Sequence, residues 1–419
     1  MFNKKSSRHS LALFVALALG SGAFLAPSAA SAVDVSSNDV VIDDTQPPSD
    51  NASAPGGGPA FGTAAGFIKE ETNNGNVTGN TLTFKNVGYT KQLYGGLTFG
   101  TGNVTGNRII VKPATTPLLS SADGIFGGAA NGGGSVQNNH AVFNGDHLNN
   151  DMVGGMTRTS GTGLVQGNTA TLKGGSAHAD IYGGMAVGGA NGDVIGNTAT
   201  IEGGTITGTS SIYGGYTDST GKVTGNIVTI KGGIIEGAYG GYSTGSGEVS
   251  GNTVNLGDGT AATLAAGTHT EDTALYGGSK SDDARCNTLN VYAKNAVVHS
   301  VKNFDKYVFH LKGDAASAAP MLTLKATDGF GALVDWNKLS LDTANAANTQ
   351  AIGKATLLKS ETANALHFKS YAAKSQTSGD YETTLRTDTN AATASSVLLD
   401  YNRFQNNTAV YDGTTAATP

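Results

Sequence analysis

Seven histidines beyond residue 32 are the side chains in this sequence best suited to metal binding or proton transfer. They are His140, His147, His178, His269, His299, His310 and His367. None has a second histidine or a cysteine at the spacing of a zinc site, and the nearest pair, His140 and His147, spans a single loop. We therefore predict surface or corner histidines, with no metal and no cofactor.

Carboxylates offer a second kind of chemistry, because β-helical enzymes that cleave polysaccharides need two or more acids held at one register. Asp180, Asp193 and Asp218 share no offset from the asparagine that recurs in the repeats described below. Asp282 and Asp283 form a single acidic turn, which is typical of a solvated loop. We predict no catalytic residues and no enzymatic activity, and a polysaccharide lyase or hydrolase is the alternative.

Calcium binding is a further alternative, because residues 188–195 half-match the calcium nonapeptide of secreted β-roll proteins. Asn191 stands where that repeat has glycine, and no tandem copy follows. One copy cannot supply the ligands that come from neighbouring turns, so we predict no calcium site. The one cysteine, Cys286, cannot pair within the chain, and we interpret it as a small residue at a corner.

The elements that must position these side chains follow from a repeat centred on an asparagine. Its copies are Asn80, Asn107, Asn139, Asn168, Asn197, Asn226, Asn252 and Asn287. The spacings between copies run from 26 to 35 residues, which is typical of a solenoid. A propeller blade needs about 40–45 residues, so the period disfavours a propeller.

Each copy predicts a short strand that follows a bend. Apolar residues lie two and four positions after the asparagine, as in Val254 and Leu256, and this alternation indicates a half-buried strand. A valine lies three positions before the asparagine in seven copies, which breaks the alternation and requires a bend. Glycine fills the bend in six copies because it tolerates a positive φ, whereas Asn138 and Cys286 stand there in the other two.

The asparagine shares its phase with the apolar residues, so we predict that it points inward. Stacked repeats would then join the eight amides in a hydrogen-bonded ladder. A second marker, an aromatic or valine residue followed by two glycines, recurs between the asparagines, as in Tyr213-Gly214-Gly215. The fold class predicted is all-β: a right-handed parallel β-helix of about eight coils with a C-terminal β cap.

The rest of the chain divides by composition. Residues 1–32 have a basic start, an apolar stretch and a small-residue cleavage site, which predict a signal peptide and export. We expect a disordered Pro/Gly-rich linker at 33–65, the repeat domain at 66–291, a C-terminal cap at 292–400 and a polar tail at 401–419. Loss of the signal peptide would move the formal net charge from −6 to −9, and the absence of a basic patch disfavours nucleic acid.

The glycine-punctuated coils resemble the passenger domains of autotransporters (type V secretion) from anaerobic Gram-negative bacteria. The residues that carry the resemblance are the Tyr-Gly-Gly and Val-x-Gly-Asn coils, then Val301-Lys302-Asn303-Phe304 and Met321-Leu322-Thr323-Leu324, within about residues 66–345. The resemblance implies a signal peptide, a passenger on the cell surface and a C-terminal outer-membrane barrel. We find no barrel in residues 346–419, which are too short and too poor in aromatic residues, and we favour a truncated chain.

The function expected on this basis is that of an exported β-helical passenger with a structural or adhesive role. Its location would be the cell surface, the outer membrane or the extracellular medium. Its partner would be a host or bacterial glycan or protein, which the sequence does not identify. The only tryptophan, Trp336, lies outside the coils, and the loops after the glycine pairs present no evident aromatic platform for sugars.

Overall fold

The computed structural model describes residues 33–42, 63–68, 74–85, 88–90, 92–115, 120–158, 161–208, 210–261, 263–265, 268, 270–280, 285–312, 319–326, 334–345, 353–378 and 381–403. These residues belong to one compact unit, Ala32–Pro419. Nearly all of its regular structure is β-strand, and parallel stacked strands form a β-solenoid of about eight turns. The predicted all-β solenoid is confirmed. The predicted signal peptide and the end of the polar tail, residues 404–419, lie outside the described residues.

The largest sheet, here the asparagine sheet, consists of the strands that follow the repeat asparagine. Its strands, in order, are Asp39–Ile42, Thr81–Phe84, Arg108–Val111, His140–Phe143, Thr169–Leu172, Thr198–Ile201, Ile227–Ile230, Thr253–Leu256, Thr288–Val291, Lys306–Lys312 and Leu339–Asn345. Neighbouring strands are parallel and in register, so that Thr200 stands opposite Thr171 and Thr229. The period-2 pattern explains the strands, because alternate residues are fully buried.

The tyrosine sheet contains the strands that carry the two glycines, together with three strands at its ends that do not contain the pair. Its strands are Thr63–Ile68, Leu93–Thr98, Ile125–Ala130, Met152–Arg158, Ile181–Val187, Ser211–Thr217, Gly237–Ser243, Ala274–Tyr276 and Ser300–Lys302. It is parallel throughout, and it brings the aromatic residues of successive coils into one row. The repeat marker read from the sequence is therefore a strand, with the glycine pair at its centre.

Two sheets of shorter strands complete each coil. The valine sheet contains Val35–Ser36, Val77–Thr78, Val104–Thr105, Val136–Gln137, Val165–Gln166, Val194–Ile195, Val223–Thr224 and Val249–Ser250. The corner sheet contains Gly88–Thr90, Ser120–Ala122, His147–Leu148, Ser176–Ala177 and Thr205–Ile206. The valine sheet turns into the asparagine sheet at the predicted bend. There Gly196 has a φ of 62°, Asn138 of 55° and Cys286 of 57°, which shows why glycine dominates that position.

The C-terminal part first continues the stack and then changes direction. Strands Lys306–Lys312 and Leu339–Asn345 extend the asparagine sheet in parallel beyond Val291, so stacking runs past the expected boundary at 291. A second sheet contains Ala296–Val298, Leu322–Leu324, Gly353–Ser360, Ser396–Arg403, Tyr381–Thr387 and Lys374–Ser378. Its last three pairings are antiparallel. A small sheet of Val334–Asp335, Leu366–Lys369 and Thr393–Ala394 and a 3-10 turn at Trp336–Lys338 lie beside it.

The expected disordered linker at 33–65 differs from the structure over its first ten residues and its last three, since residues 63–65 begin the strand Thr63–Ile68. Val35–Ser36 pairs with Val77–Thr78, and Asp39–Ile42 pairs with Thr81–Phe84, so residues 33–42 form a first layer of the solenoid. This segment is a ninth copy of the repeat, because Val35, Asn38, Val40 and Ile42 occupy the repeat positions. Ser37 takes the place of glycine at the bend with a φ of 57°. The part of the linker at 43–62 lies outside the described residues.

Candidate functional site

The eight repeat asparagines lie inside the solenoid in a single file. All eight are fully buried. At Asn197, Nδ2 donates to Oδ1 of Asn226 over 2.9 Å, and Oδ1 accepts from Nδ2 of Asn168 over 2.9 Å. The same side-chain contact joins Asn80, Asn107, Asn139, Asn168, Asn197, Asn226, Asn252 and Asn287 in sequence. The structure therefore brings all the sequence-predicted ladder residues together.

The backbone supplies the remaining partners of each buried amide, which sequence reasoning did not anticipate. The N–H of Asn168 also donates to Oδ1 of Asn197, so that oxygen accepts two hydrogen bonds. The second Nδ2 hydrogen of Asn197 is donated to the carbonyl of Val165 over 3.0 Å. A fully buried amide is thus satisfied at both ends, which removes the desolvation cost of an unpaired polar group.

The glycine pair of the tyrosine sheet makes room for this ladder. A Cβ atom on Gly184 would lie 2.4 Å from Cγ of Asn197, far inside van der Waals contact. A Cβ atom on Gly183 would lie 2.5 Å from the Gly214 carbonyl oxygen and 2.7 Å from the backbone of Thr198. The two glycines are therefore needed for different reasons. Gly184 faces the buried amide of Asn197, and Gly183 faces the backbone of neighbouring strands.

The outer side of the tyrosine sheet carries the most distinctive surface of the described residues. Ile212 is buried in the core and Tyr213 alternates with it, so Tyr213 points outward. We define the tyrosine face as Tyr182, Tyr213, Tyr216, Tyr239, Tyr242 and Tyr276. Tyr182 is almost buried, and the other five are half-buried. Towards the first coils the same face becomes apolar and buried, with Phe126, Val153 and Met156.

The rings of the tyrosine face form two stacked rows. Tyr213 stacks on Tyr182 and on Tyr239, with ring centroids 4.9 and 5.1 Å apart. Tyr216 stacks on Tyr242 at 5.6 Å, and the two rows meet edge to face. Each ring face is largely used by its neighbours, so the surface presents hydroxyl groups and ring edges at regular intervals. Sequence reasoning missed this surface, although the Tyr-Gly-Gly-Tyr segments at 213–216 and 239–242 contained the signal.

Burial favours the neutral form of Tyr213 and Tyr239 in the tyrosine face. Burial raises the pKa of Tyr239 to about 12, with smaller contributions from Tyr276 and Tyr242. Burial and then the Asp180 carboxylate raise the pKa of Tyr213 above its ordinary value. The hydroxyls of Tyr213 and Tyr239 therefore remain protonated, and each can both donate and accept a hydrogen bond.

A pair of carboxylates flanks the tyrosine face in register. Asp151 directly precedes Met152, and Asp180 directly precedes Ile181. Met152 and Ile181 are the first residues of neighbouring strands and pair with each other, so the two acids occupy the same position in successive coils. Burial first, and then Asp180, raise the pKa of Asp151 to about 6. The sequence contains this register, because both acids lie twelve residues after a repeat asparagine. The comparison of Asp180 with Asp193 and Asp218 did not reveal it, since Asp151 was not considered.

The hydrogen bonds of this pair extend from coil to coil. The carboxylate of Asp151 accepts the backbone N–H of Asp180. The carboxylate of Asp180 accepts the N–H of Ser211 over 2.7 Å and the hydroxyl of Tyr182 over 2.9 Å. Both oxygens of Asp180 thus have protein partners. The arrangement stabilises the stacking of neighbouring coils and fixes the orientation of Tyr182.

The other candidate residues lie apart from this face. Asn191 and Asp193, in the segment that half-matches a calcium repeat, accept hydrogen bonds from Ser219 and from the N–H of Lys222 on the next coil. His310 lies 2.8 Å from Asp342 and 3.1 Å from Asn290 and stacks on Tyr292. Cys286 is exposed. Across the described ranges, no three His, Cys, Asp or Glu residues are grouped so that they could hold a metal ion.

Comparison with protein-family models, with curated proteins and with solved structures finds no match to this chain. In the described part of the chain, no helix has the length and apolar character needed to cross a bilayer. The function must therefore be argued from the surfaces of the solenoid itself.

Proposed function

We propose that this chain is an exported β-solenoid of the autotransporter-passenger type, with a structural and adhesive role and no catalysis. The observation that carries the proposal is the tyrosine face: five half-buried tyrosines in two regular rows on one side of a sheet. Tyrosine is enriched at binding surfaces because it offers a large rigid area together with a polar hydroxyl. The signal-peptide pattern and the passenger resemblance in the sequence support export to the cell surface or medium.

The scaffold suits such a role because the asparagine ladder holds the position of each coil. The inward amides and glycines hold the sheet that carries the tyrosines in place. The tyrosines are therefore already at fixed spacings before a partner binds. A preorganised surface loses less conformational entropy when it binds a partner. The partner expected is a glycan or protein of a host or bacterial surface, contacted through hydroxyl groups and ring edges.

Binding to a defined panel tests this proposal. The purified chain is applied to immobilised extracellular-matrix proteins and to an array of host and bacterial glycans, beside a variant with Tyr216→Ser and Tyr242→Ser. A matched control changes two half-buried outward residues of the asparagine sheet, Thr171→Val and Thr200→Val. We expect retention on at least one probe that the tyrosine variant loses and the threonine variant keeps. Retention on no probe, or equal retention of both variants, contradicts the proposal.

Export is tested separately in cells that express the full chain. We expect a protease added to intact cells to degrade the chain, or the chain to be recovered from the medium, with a new N-terminus at Val33. A chain that stays in the cytoplasm with residues 1–32 attached contradicts export.

A polysaccharide-cleaving enzyme remains the second candidate, because Asp151 and Asp180 share a register and the pKa of Asp151 is raised to about 6. A protonated acid beside an ionised one is the arrangement used in glycoside hydrolysis. The carboxylate of Asp180 already accepts hydrogen bonds from the Ser211 N–H and the Tyr182 hydroxyl, which favours a role in joining neighbouring coils over catalysis. Release of reducing ends or unsaturated sugars from neutral or acidic polysaccharides, lost in Asp151→Asn, would establish the enzyme.

A further inference from the structure

Among the described residues, the first layer of the solenoid is an open end. Val35–Ser36, Asp39–Ile42 and Thr63–Ile68 are each the outermost strand of their sheet, and within the described ranges each pairs on one side only. Val35 and Ser37 donate their N–H groups to the second layer. Because successive N–H groups of a strand point in opposite directions, the N–H of Ser36 faces away from the stack.

The asparagine ladder is also open at this end. Every buried asparagine after Asn80 accepts, at its Oδ1, both the backbone N–H and Nδ2 of the asparagine in the preceding layer. Asn38 is the ladder residue of the first layer, and its N–H donates to Oδ1 of Asn80 over 3.1 Å. Its own side chain is exposed and makes no hydrogen bond among the described residues, so unlike the later asparagines its Nδ2 does not donate to the next Oδ1. The Oδ1 of Asn38 is thus not used within the described part of the chain, and rotation of this exposed amide into the ladder position would let it accept from one further layer.

The apolar residues of the first layer are only partly covered. Val40 and Ala65 pack against the main core yet remain half-buried, whereas the corresponding Leu82 of the next coil is fully buried. Val41, on the outer side, is 54% exposed. The other end differs, since Phe304 packs beside Gly277 at the end of the ladder and antiparallel strands follow. One more layer at the first end would bury these residues.

We propose that this end binds an extended strand of another polypeptide, in parallel, with an asparagine followed by apolar residues two and four positions later. An asparagine supplies both the backbone N–H and the side-chain N–H that the ladder position accepts, as at the other rungs. A second folded copy fits less well, because its own first layer would run antiparallel. Asp34 and Asp39 of one copy would also face Asp34 and Asp39 of the other, and like charges across an interface are unfavourable.

The probe that tests this is a fluorescent peptide with the sequence of residues 76–85, which carries the repeat pattern. Fluorescence anisotropy is measured as the full chain is added, and a scrambled peptide of the same composition is the control. We expect saturable binding of the repeat peptide, at least tenfold weaker binding of the scrambled one, and at least tenfold weaker binding of the repeat peptide by Asn38→Leu. Asn191→Leu, a change at an exposed loop asparagine, should leave the affinity unchanged.

A second variant separates strand pairing from side-chain effects. Ser36→Pro removes the outward N–H and keeps the hydrogen bonds made by Val35 and Ser37 to the second layer. We expect it to abolish peptide binding while circular dichroism and the melting temperature stay as in the parent. No binding of the repeat peptide, equal binding of the scrambled peptide, or full binding by both variants overturns the proposal. Sedimentation that shows a dimer lost in Asn38→Leu also overturns it, because the occupant would then be a second copy.

Discussion

Replacing the central ladder residue Asn197 by leucine tests how much the ladder stabilises the solenoid. The substitution removes the acceptor of two donors, the backbone N–H and one Nδ2 hydrogen of Asn168. It also removes one of the two donors to Oδ1 of Asn226, and a donor to the Val165 carbonyl. All these groups are buried, so water cannot replace the lost partners.

The magnitude follows from counting the orphaned donors. Each unsatisfied buried donor costs about 1–3 kcal/mol, so the two on Asn168 cost about 2–6 kcal/mol. Burial of the added apolar surface returns about 1–2 kcal/mol. The difference spans about 0–5 kcal/mol, and from its central value we expect Asn197→Leu to lower the free energy of unfolding by about 2–3 kcal/mol.

Urea denaturation of the full chain measures this effect, with midpoints compared at equal slope. The matched control is Asn191→Leu, because Asn191 lies six residues earlier on an exposed loop and its partners there are Ser219 and Thr220 hydroxyls. We expect the control to change stability by less than about 0.5 kcal/mol. Equal midpoints for the two variants would show that the ladder contributes no more to stability than a surface turn does.

Three further predictions concern the glycines, the carboxylate pair and calcium. Gly184→Ala places a Cβ 2.4 Å from Asn197, so it should lower the urea midpoint more than Gly196→Ala, which has a φ of 62° but nothing within 4 Å. The raised pKa of Asp151 means that its stability contribution is complete below pH about 4 and is lost as the pH rises through about 6. Asp151→Asn should therefore gain stability relative to the parent between pH 4 and 7, by about 1–2 kcal/mol after solvent screening, and a constant difference across that range would count against it. Chelation of calcium should leave the melting temperature unchanged, and a large drop would favour the calcium-dependent alternative.

The ladder could be predicted from sequence because it depends on one residue at one register. An asparagine in phase with Val254 and Leu256 must face the core, and the three-residue offset from the valine requires a bend. Those two constraints are local, so a single sequence contains them. Cys286, interpreted from the sequence as a small residue at a corner, adopts the same positive φ as the glycines because the repeat imposes the bend on whatever residue stands there.

The first layer was missed because its cues are weaker. Ser37 stands where the other copies have glycine, asparagine or, in one case, cysteine, and the Pro/Gly-rich stretch that follows indicated disorder. The pairing of residues 35–42 depends on the next coil, which lies some 42 residues later along the chain. Such long-range pairing is decided by stacking, so local composition gave the wrong prediction for this segment.

The tyrosine face and the carboxylate pair were missed for a different reason. Both arise from residues of neighbouring coils that meet only when spacings of 26 to 31 residues are brought into register, as with Tyr182, Tyr213 and Tyr239. Loop insertions change the spacing from coil to coil, so residues at equivalent positions of successive coils are not separated by a constant number of residues in the sequence. Alignment on the glycine pair, instead of on the asparagine alone, would have placed these residues together.

Hydrogen–deuterium exchange of the full chain can show whether an internal ladder holds the solenoid and whether its first described layer is less protected. Peptides that contain Asn168 and Asn197 should exchange at least about a thousandfold more slowly than the loop at 188–193, since their backbone N–H groups donate to buried amides. The first layer, residues 33–42, should exchange faster than the ladder peptides. Exchange of the ladder peptides as fast as the loop would contradict the account.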